Sequence, residues 1–131
     1  LKDMFREVDS VIREYIDDCF NKEQSPDGEK WQEWSENYAK KRAGDGGKIL
    51  QFNGDLRSKW TRKITDTSLT RGTALEYAAI HNFGGPIKLK SGVKFEMPKR
   101  EFFGFTEHQK EEILDTIEYY YLTRIKQLKK K

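Results

Sequence analysis

The chain has 131 residues, of which 35% are hydrophobic, 36% charged and 13% aromatic, and its formal net charge at pH 7 is +3. This length suits one domain with one core, and the aromatic content excludes a disordered chain, because disordered segments are poor in aromatic residues. The near balance of acidic and basic residues argues against a dedicated nucleic-acid-binding protein, which usually has a clear basic excess.

The chain opens with apolar residues at spacings of three and four, which predicts an amphipathic helix over residues 1–22. Charged residues, Asp9 among them, are expected mainly on the opposite side. The single cysteine, Cys19, lies on the apolar side, so we expect a buried thiol, no internal disulfide and a reducing compartment. The apolar positions are Met4, Phe5, Val8, Val11, Ile12, Tyr15, Ile16, Cys19 and Phe20.

The next segments are short and separated by turn residues. Proline and glycine predict a turn over 24–28, since proline fixes φ and glycine allows positive φ. A second, aromatic-led helix is predicted over about 31–41. Glycines then predict a flexible loop over about 43–48. The helix prediction rests on Trp31, Trp34 and Tyr38.

The middle of the chain predicts one short helix, one strand and a further helix. Asn53 is placed to cap a helix that reaches about Trp60. Threonine and isoleucine favour a strand over 62–69, with a tight turn at Arg71–Gly72. A short helix over 74–82 follows.

The last third predicts a hairpin and a long helix. Alternating residues on either side of Ser91–Gly92 predict a β-hairpin over 87–96. A phenylalanine-rich loop over 101–105 follows, and Thr106 is an expected N-cap for a helix to about Leu128. The apolar stripe predicted for that helix consists of Ile113, Leu114, Ile117, Tyr120, Tyr121, Arg124, Ile125 and Leu128.

Few strands and no alternation of strands with helices predict an α+β fold, in which a small antiparallel sheet packs against two long helices within a single domain, residues 1–131. No apolar run approaches the roughly 18 residues that a membrane span needs, so we expect a soluble protein. The lysine-rich tail over 126–131 is interpreted as a solvated helix end.

Little in the sequence points to catalysis. The two histidines, His81 and His108, lack a nucleophile or a zinc-ligand pattern at the required spacing. The glycines before Lys48 fail the phosphate-loop pattern, because Ile49 follows where serine or threonine is needed. We therefore predict no catalytic residue, no cofactor and no metal. His81 is interpreted as capping a helix end, and Arg100 as stacking on a ring or reaching a main-chain carbonyl.

Four segments in this order resemble the phage virion morphogenesis family, the tail-completion-type proteins of Mu-like phages and prophages. The first is the aromatic-led helix from Trp31 to Lys41. Residues 49–58 (ILQFNGDLRS) are similar to the family's "iL…tG.L..s" segment, residues 77–85 (YAAIHNFGG) to its "YA.iHqfG" signature, and residues 97–104 (MPKREFFG) to "PaR.flG". The resemblance covers roughly residues 26–125, with Asn82 where the family commonly has glutamine.

The resemblance implies a non-enzymatic component of tail completion or head–tail joining, assembled into the virion in the bacterial host cytoplasm as a ring. Its implied partners are further copies of itself and tail-tube or head-completion proteins, without membrane or nucleic acid, and the free chain is expected to be a monomer. The 44–47 loop and the 87–96 hairpin are the expected assembly elements. The residues carried over are Trp31, Leu50, Gly54, Leu56, Tyr77, Ala78, His81, Phe83, Gly84, Pro98, Arg100, Phe102, Phe103 and Gly104.

Two other hypotheses remain open from the sequence. One is a nucleic-acid-associated module that uses the basic C-terminal helix together with nearby cations of the middle segment. The other is an enzyme or toxin that uses His81, with Glu76 as a partner. The cations of the first hypothesis are Arg57, Lys59, Arg62 and Lys63.

Overall fold

The computed structural model describes residues 1–42, 48–51, 54–88 and 90–130, apart from the side chains of Asn37, Lys41 and Arg42. It confirms the α+β prediction. The elements are α1 (Lys2–Lys22), α2 (Glu36–Arg42), α3 (Asp55–Ser58), β1 (Thr61–Ile64), β2 (Leu69–Gly72), α4 (Ala78–Phe83), β3 (Gly85–Lys88), β4 (Lys94–Met97) and α5 (Glu107–Lys129).

Helix α1 runs almost as predicted and ends at Glu23, which adopts the left-handed conformation of a helix C-cap. The following turn is also confirmed: Gln24 pairs with Lys30 in an isolated antiparallel bridge, and Gly28 has a φ of 91°. The chain therefore reverses direction and lays residues 30–35 back towards the core.

The prediction of a helix beginning at Trp31 is wrong, because helix α2 begins only at Glu36. The main chain before it pairs with distant residues instead of forming helical hydrogen bonds. The Trp31 N–H donates to the Glu23 carbonyl at 2.9 Å, and the Gln32 carbonyl accepts from the Arg100 side chain at 2.9 Å. The predicted loop over 43–48 lies outside the described residues except for Lys48.

Helix α3 is shorter than predicted. Gly54, with φ 77° and ψ 0°, precedes it, and it ends at Ser58 rather than near Trp60. The predicted cap, Asn53, lies outside the described residues. Lys59 ends the helix with ψ 69°, outside the helical range, so the chain leaves α3 directly into strand β1.

The single strand predicted over 62–69 is a hairpin of two strands. β1 pairs antiparallel with β2, with Thr61 opposite Gly72 and Ile64 opposite Leu69. The turn lies at residues 65–68, where the Thr65 N–H donates to the Ser68 carbonyl at 2.9 Å, so the turn predicted at Arg71–Gly72 is wrong. The polar run of residues 65–68 supplies the turn, and the β-favouring residues on both sides supply the strands.

The second hairpin is confirmed. β3 pairs antiparallel with β4, from Gly85 opposite Met97 to Lys88 opposite Lys94. Leu89, in the connection, lies outside the described residues. The predicted single sheet is thus two separate two-stranded sheets among the described residues. The helix predicted over 74–82 is the shorter α4.

Helix α5 begins as predicted with a capping box. The Thr106 hydroxyl accepts from the Gln109 N–H at 3.1 Å, and the Gln109 side chain accepts from the Thr106 N–H at 3.0 Å. However, none of the α5 residues is fully buried. The apolar stripe predicted for α5 does not enter the core: α5 packs on α1, and much of the stripe faces outward.

The core lies between α1, the extended residues after it and the phenylalanine-rich loop. The ring centroid of Phe20 lies 5.5 Å from that of Trp31 and 5.4 Å from that of Phe102, so the phenylalanine-rich loop packs on the core. Cys19 is buried as predicted, and burial raises the pKa of its thiol to about 11. No helix in the described part of the chain combines the length and the apolarity that crossing a bilayer requires.

One charged residue of α1, Asp9, does not lie on the outer side as predicted but is fully buried. Its carboxylate pairs with Arg62 of β1 at 2.9 Å and with Arg71 of β2 at 3.1 Å. Asp9 thus anchors the first hairpin on α1. The sequence spacing is consistent with the burial of Asp9, because Asp9 lies four residues after Phe5 and three before Ile12, on the same helix face.

Candidate functional site

The two most specific motif segments, 77–85 and 97–104, lie against each other in space. The main-chain N–H of Arg100 donates to the His81 carbonyl at 2.9 Å. The side-chain oxygen of the buried Asn82 accepts from the N–H groups of both Phe102 and Phe103 at 2.9 Å. Its side-chain nitrogen donates to the Phe103 carbonyl at 3.2 Å. One amide side chain thus fixes the loop to α4.

Residues 31–33 hold the same loop from the other side. The indole N–H of Trp31 donates to the Glu101 carbonyl at 2.8 Å. The buried Arg100 guanidinium donates to the Gln32 carbonyl at 2.9 Å and the Glu33 carbonyl at 3.4 Å, which confirms one of its two predicted roles. The loop is therefore fixed by hydrogen bonds on both flanks.

The predicted motif residues divide into an inner and an outer group. The inner group is buried and supports the fold: Trp31, Leu56, Ala78, Arg100 and Phe102. The outer group is exposed: Phe83, with 69% of its surface accessible, and Tyr77, with 41%. The partly buried remainder consists of Leu50, Gly54, His81, Gly84, Pro98, Phe103 and Gly104.

Sequence reasoning did not place Asn82 among the site residues, although it holds the two motif segments together. A signal was present, because asparagine is an unfavourable residue inside a helix and here precedes the glycines that end one. Replacing Asn82 with alanine is expected to lower the free energy of unfolding by about 2 kcal/mol, because two N–H groups lose their acceptor, one of them buried.

Urea unfolding measures that loss, and Asn21→Ala is a matched control. The Asn21 side chain accepts one hydrogen bond from Arg57 at an exposed position, so its removal is expected to cost under about 0.5 kcal/mol. Equal losses in the two variants would show that the Asn82 amide does not hold the loop.

An open groove of about 760 Å³ lies beside the joined motifs. Trp34, Leu50, Tyr77, His81, Phe95 and Pro98 are among the residues that line it. Its wall thus combines aromatic side chains from three parts of the chain.

His81 lies in the last turn of α4, where its capping role stays a prediction that does not involve Nδ1. That atom is buried without a hydrogen-bond partner among the described residues, and the His81 carbonyl is taken by the Arg100 N–H. Burial, with a contribution from the Arg100 charge, lowers the pKa of His81. Both effects favour the neutral form of the imidazole. Glu76, its partner in the enzyme hypothesis, is exposed.

The described residues contain no group of three or more histidine, cysteine, aspartate or glutamate side chains that could hold a metal ion. Three of the four middle-segment cations of the nucleic-acid hypothesis are paired within the chain. Arg57 pairs with Asp17 at 3.3 Å, Lys59 with Asp55 at 3.4 Å, and Arg62 with the buried Asp9. These ion pairs leave less positive charge available for phosphate groups.

The sequence of this chain is similar to the sequences of phage and prophage proteins. The sequence profile of the phage virion morphogenesis family matches residues 1–121. "Mu-like prophage FluMu G protein 1" of Haemophilus influenzae is 36% identical over 107 residues, which are 79% of this chain and 67% of that protein. "Putative capsid assembly protein G" of Escherichia phage Mu is 29% identical over 119 residues, which are 86% of this chain and 74% of that protein. No solved structure matches this chain.

Proposed function

Because this chain belongs to the phage virion morphogenesis family, we propose that it completes the tail or joins head to tail, by forming a ring with further copies of itself. The membership gives it a structural part in building the phage particle. In this role it contacts tail-tube or head-completion proteins, is assembled in the host cytoplasm and catalyses no reaction.

The observation that carries this proposal is the hairpin β3–β4, whose strands are largely exposed. It is fixed at its base, where Gly84 lies against the main chain of Met97 and Lys99. Its two strands form a complete sheet among the described residues, so each has an outer edge free to pair with a further strand. A free edge can add to the sheet of a neighbouring subunit through main-chain hydrogen bonds.

Exposed apolar side chains next to the hairpin support the same proposal. Val93 and Phe95 of the hairpin are more than 40% accessible, as is Phe83 at its base. Exposed aromatic residues near one another are a feature of protein–protein contacts. A ring of identical subunits requires two different surfaces on each subunit, and we propose the hairpin edge as one of them.

The proposal is tested by shortening the hairpin. Residues 87–95 are replaced by Asn-Gly, a pair that closes tight hairpins, so that Pro86 and Glu96 remain opposite each other. We expect phage that carry this variant to accumulate separate heads and tails, with infectious titre reduced at least a hundredfold. Electron microscopy and plaque counts measure the two effects.

A folding control accompanies the experiment. The purified variant is expected to keep the circular dichroism spectrum and thermal midpoint of the parent, because the deleted residues are largely exposed. A folded variant that still yields joined, infectious particles would refute the role of the hairpin in assembly.

A further inference from the structure

Helix α5 carries an apolar stripe that nothing in the described structure covers. Leu114, Tyr121, Ile125 and Leu128 are each between 45 and 62% accessible. Together with the exposed Glu118, they follow one another at spacings of four, three, four and three residues. This is the heptad spacing of a helix that packs along a second helix. The stripe, residues 114–128, is about 21 Å long at 1.5 Å per residue.

The stripe is not the face by which α5 packs on α1. The half-buried residues of α5 include Ile113, Thr116 and Tyr120, which lie about 80 to 180° around the helix from Tyr121 and Ile125 at about 100° per residue. Helix α1 therefore occupies one side of α5, and a partner helix has access to the other.

Charge is divided along α5 in a way that specifies the partner. The first half, residues 107–118, contains five acidic residues and one lysine, Lys110: the acidic residues are Glu107, Glu111, Glu112, Asp115 and Glu118. The second half, residues 119–130, contains four basic residues and no acidic one: Arg124, Lys126, Lys129 and Lys130. A helix with this polarity complements a second copy of itself in the antiparallel direction, whereas a parallel copy would place acid against acid and base against base.

We propose that two copies of this chain associate through their α5 stripes as an antiparallel, two-fold symmetric pair. An isologous contact of this kind uses the same surface on both copies. With Leu114 opposite Ile125 of the other copy, Glu118 lies beside the Tyr121 hydroxyl of that copy rather than opposite a second Glu118. This surface is separate from the hairpin β3–β4, so the inference does not depend on the proposed function. It replaces the expectation of a monomer in isolation.

A seam of two heptads is small for a protein interface, so the pair is expected to be weak, with a dissociation constant on the order of micromolar. Sedimentation equilibrium of the parent chain should give a mass that rises with concentration from 15.5 kDa towards twice that value. Added salt should weaken the pair, because part of the attraction is between exposed charges.

Two tyrosines provide a matched pair of variants. Tyr121→Asp places a charge in the stripe and should raise the dimer dissociation constant at least tenfold. Tyr119→Asp changes a residue that is even more accessible, at 66%, but that lies outside the stripe, and it should leave the constant within about twofold. Both positions are exposed, so equal thermal midpoints would establish that neither change unfolds the protein.

Disulfide trapping gives the direction of the pair. Leu114→Cys and Ile125→Cys are made as separate proteins, mixed and oxidised. The native Cys19 is buried and its thiol has a pKa of about 11, so it should not compete. An antiparallel pair should yield disulfides that join a Leu114→Cys chain to an Ile125→Cys chain. A parallel pair should yield disulfides that join two chains of the same variant.

The outcomes decide the proposal. Mixed disulfides, together with weakening by Tyr121→Asp but not by Tyr119→Asp, would support it. A parent chain that stays at monomer mass to about 1 mM, far above the micromolar range expected for the pair, would overturn it. Disulfides only between chains of the same variant would also overturn it, and so would an equal rise of the dimer dissociation constant in both tyrosine variants.

Discussion

Replacing Asp9 with asparagine is expected to lower the free energy of unfolding by about 3 kcal/mol, the lower end of the range for breaking a buried ion pair. Asp9 is fully buried, and it pairs with Arg71, whose side chain is only 9% accessible, and with Arg62, which is half exposed. The amide keeps the shape of the carboxylate but removes its charge. Arg71 then remains buried without a counter-ion, while Arg62 can turn towards water.

The environment of Arg71 explains why the loss is large. Burial lowers the pKa of its guanidinium, the Asp9 carboxylate raises it, and the like charges of Arg13 and Arg62 lower it again. Without Asp9, burial and the charges of Arg13 and Arg62 still disfavour the guanidinium charge, and only the smaller contribution of Asp17 favours it. Because these residues connect α1 to both strands of the first hairpin, their loss should loosen the packing of the whole β1–β2 unit.

Asp17→Asn on the same helix is the matched control. Asp17 pairs with Arg57 at 3.3 Å, and 49% of its side chain is accessible, so the same change there should cost under about 1 kcal/mol. Urea unfolding at constant pH gives both values. Equal losses of unfolding free energy at the two positions would show that burial does not make the ion pairs of Asp9 more important for stability than an exposed pair.

Replacing Gly84 with alanine is expected to cost at least about 3 kcal/mol, as the sum of backbone strain and steric overlap. Gly84 has φ 71° and ψ −174°, a region that only glycine readily adopts. An added Cβ would lie 2.9 Å from both the Lys99 nitrogen and the Met97 carbonyl oxygen. Both are main-chain atoms, so neither can move away as the end of a flexible side chain can.

Gly54→Ala separates conformational strain from steric overlap. Gly54 also has positive φ, at 77°, but a Cβ there would meet nothing within 4 Å. Its left-handed conformation predicts a loss of about 1 kcal/mol. Thermal or urea unfolding of both variants measures the difference, and a Gly84 variant as stable as the Gly54 variant would contradict the close packing at the base of the hairpin.

The Gly84 variant also links stability to the proposed assembly. The same main-chain contact that excludes a Cβ positions the first residues of β3 against the last residues of β4. A change there alters the direction in which the hairpin projects, even where the domain stays folded. The virion assay described for the shortened hairpin therefore applies to Gly84→Ala at a permissive temperature.

Several elements were predictable because their signals are local. The spacing of apolar residues gave α1 within one residue of its start, and Thr106 with Gln109 gave the start of α5. Alternation about Ser91–Gly92 gave the second hairpin. The motif resemblance also named Trp31 and Phe102, and their buried contacts assign them to the support of the fold rather than to the exposed surface.

Other features depended on residues that are far apart in the chain. Asp9 and Arg62 are 53 positions apart. The local spacing places Asp9 on the apolar face of α1, but it does not indicate which arginines neutralise the buried carboxylate. Trp31 has helical spacing with its neighbours, yet residues 31–33 are not helical. Their main-chain and indole groups bond instead to Glu23, Arg100 and Glu101.

The sequence alone therefore determined the fold class, the two long helices, the second hairpin and the resemblance to the family, since periodicity, caps and turns act over a few residues. The tertiary structure decided which face of α5 stays exposed, which charge is buried and how Asn82 joins the two motifs. Burial and hydrogen-bond partners depend on what the rest of the chain brings to a residue, and that is a property of the folded chain rather than of any segment.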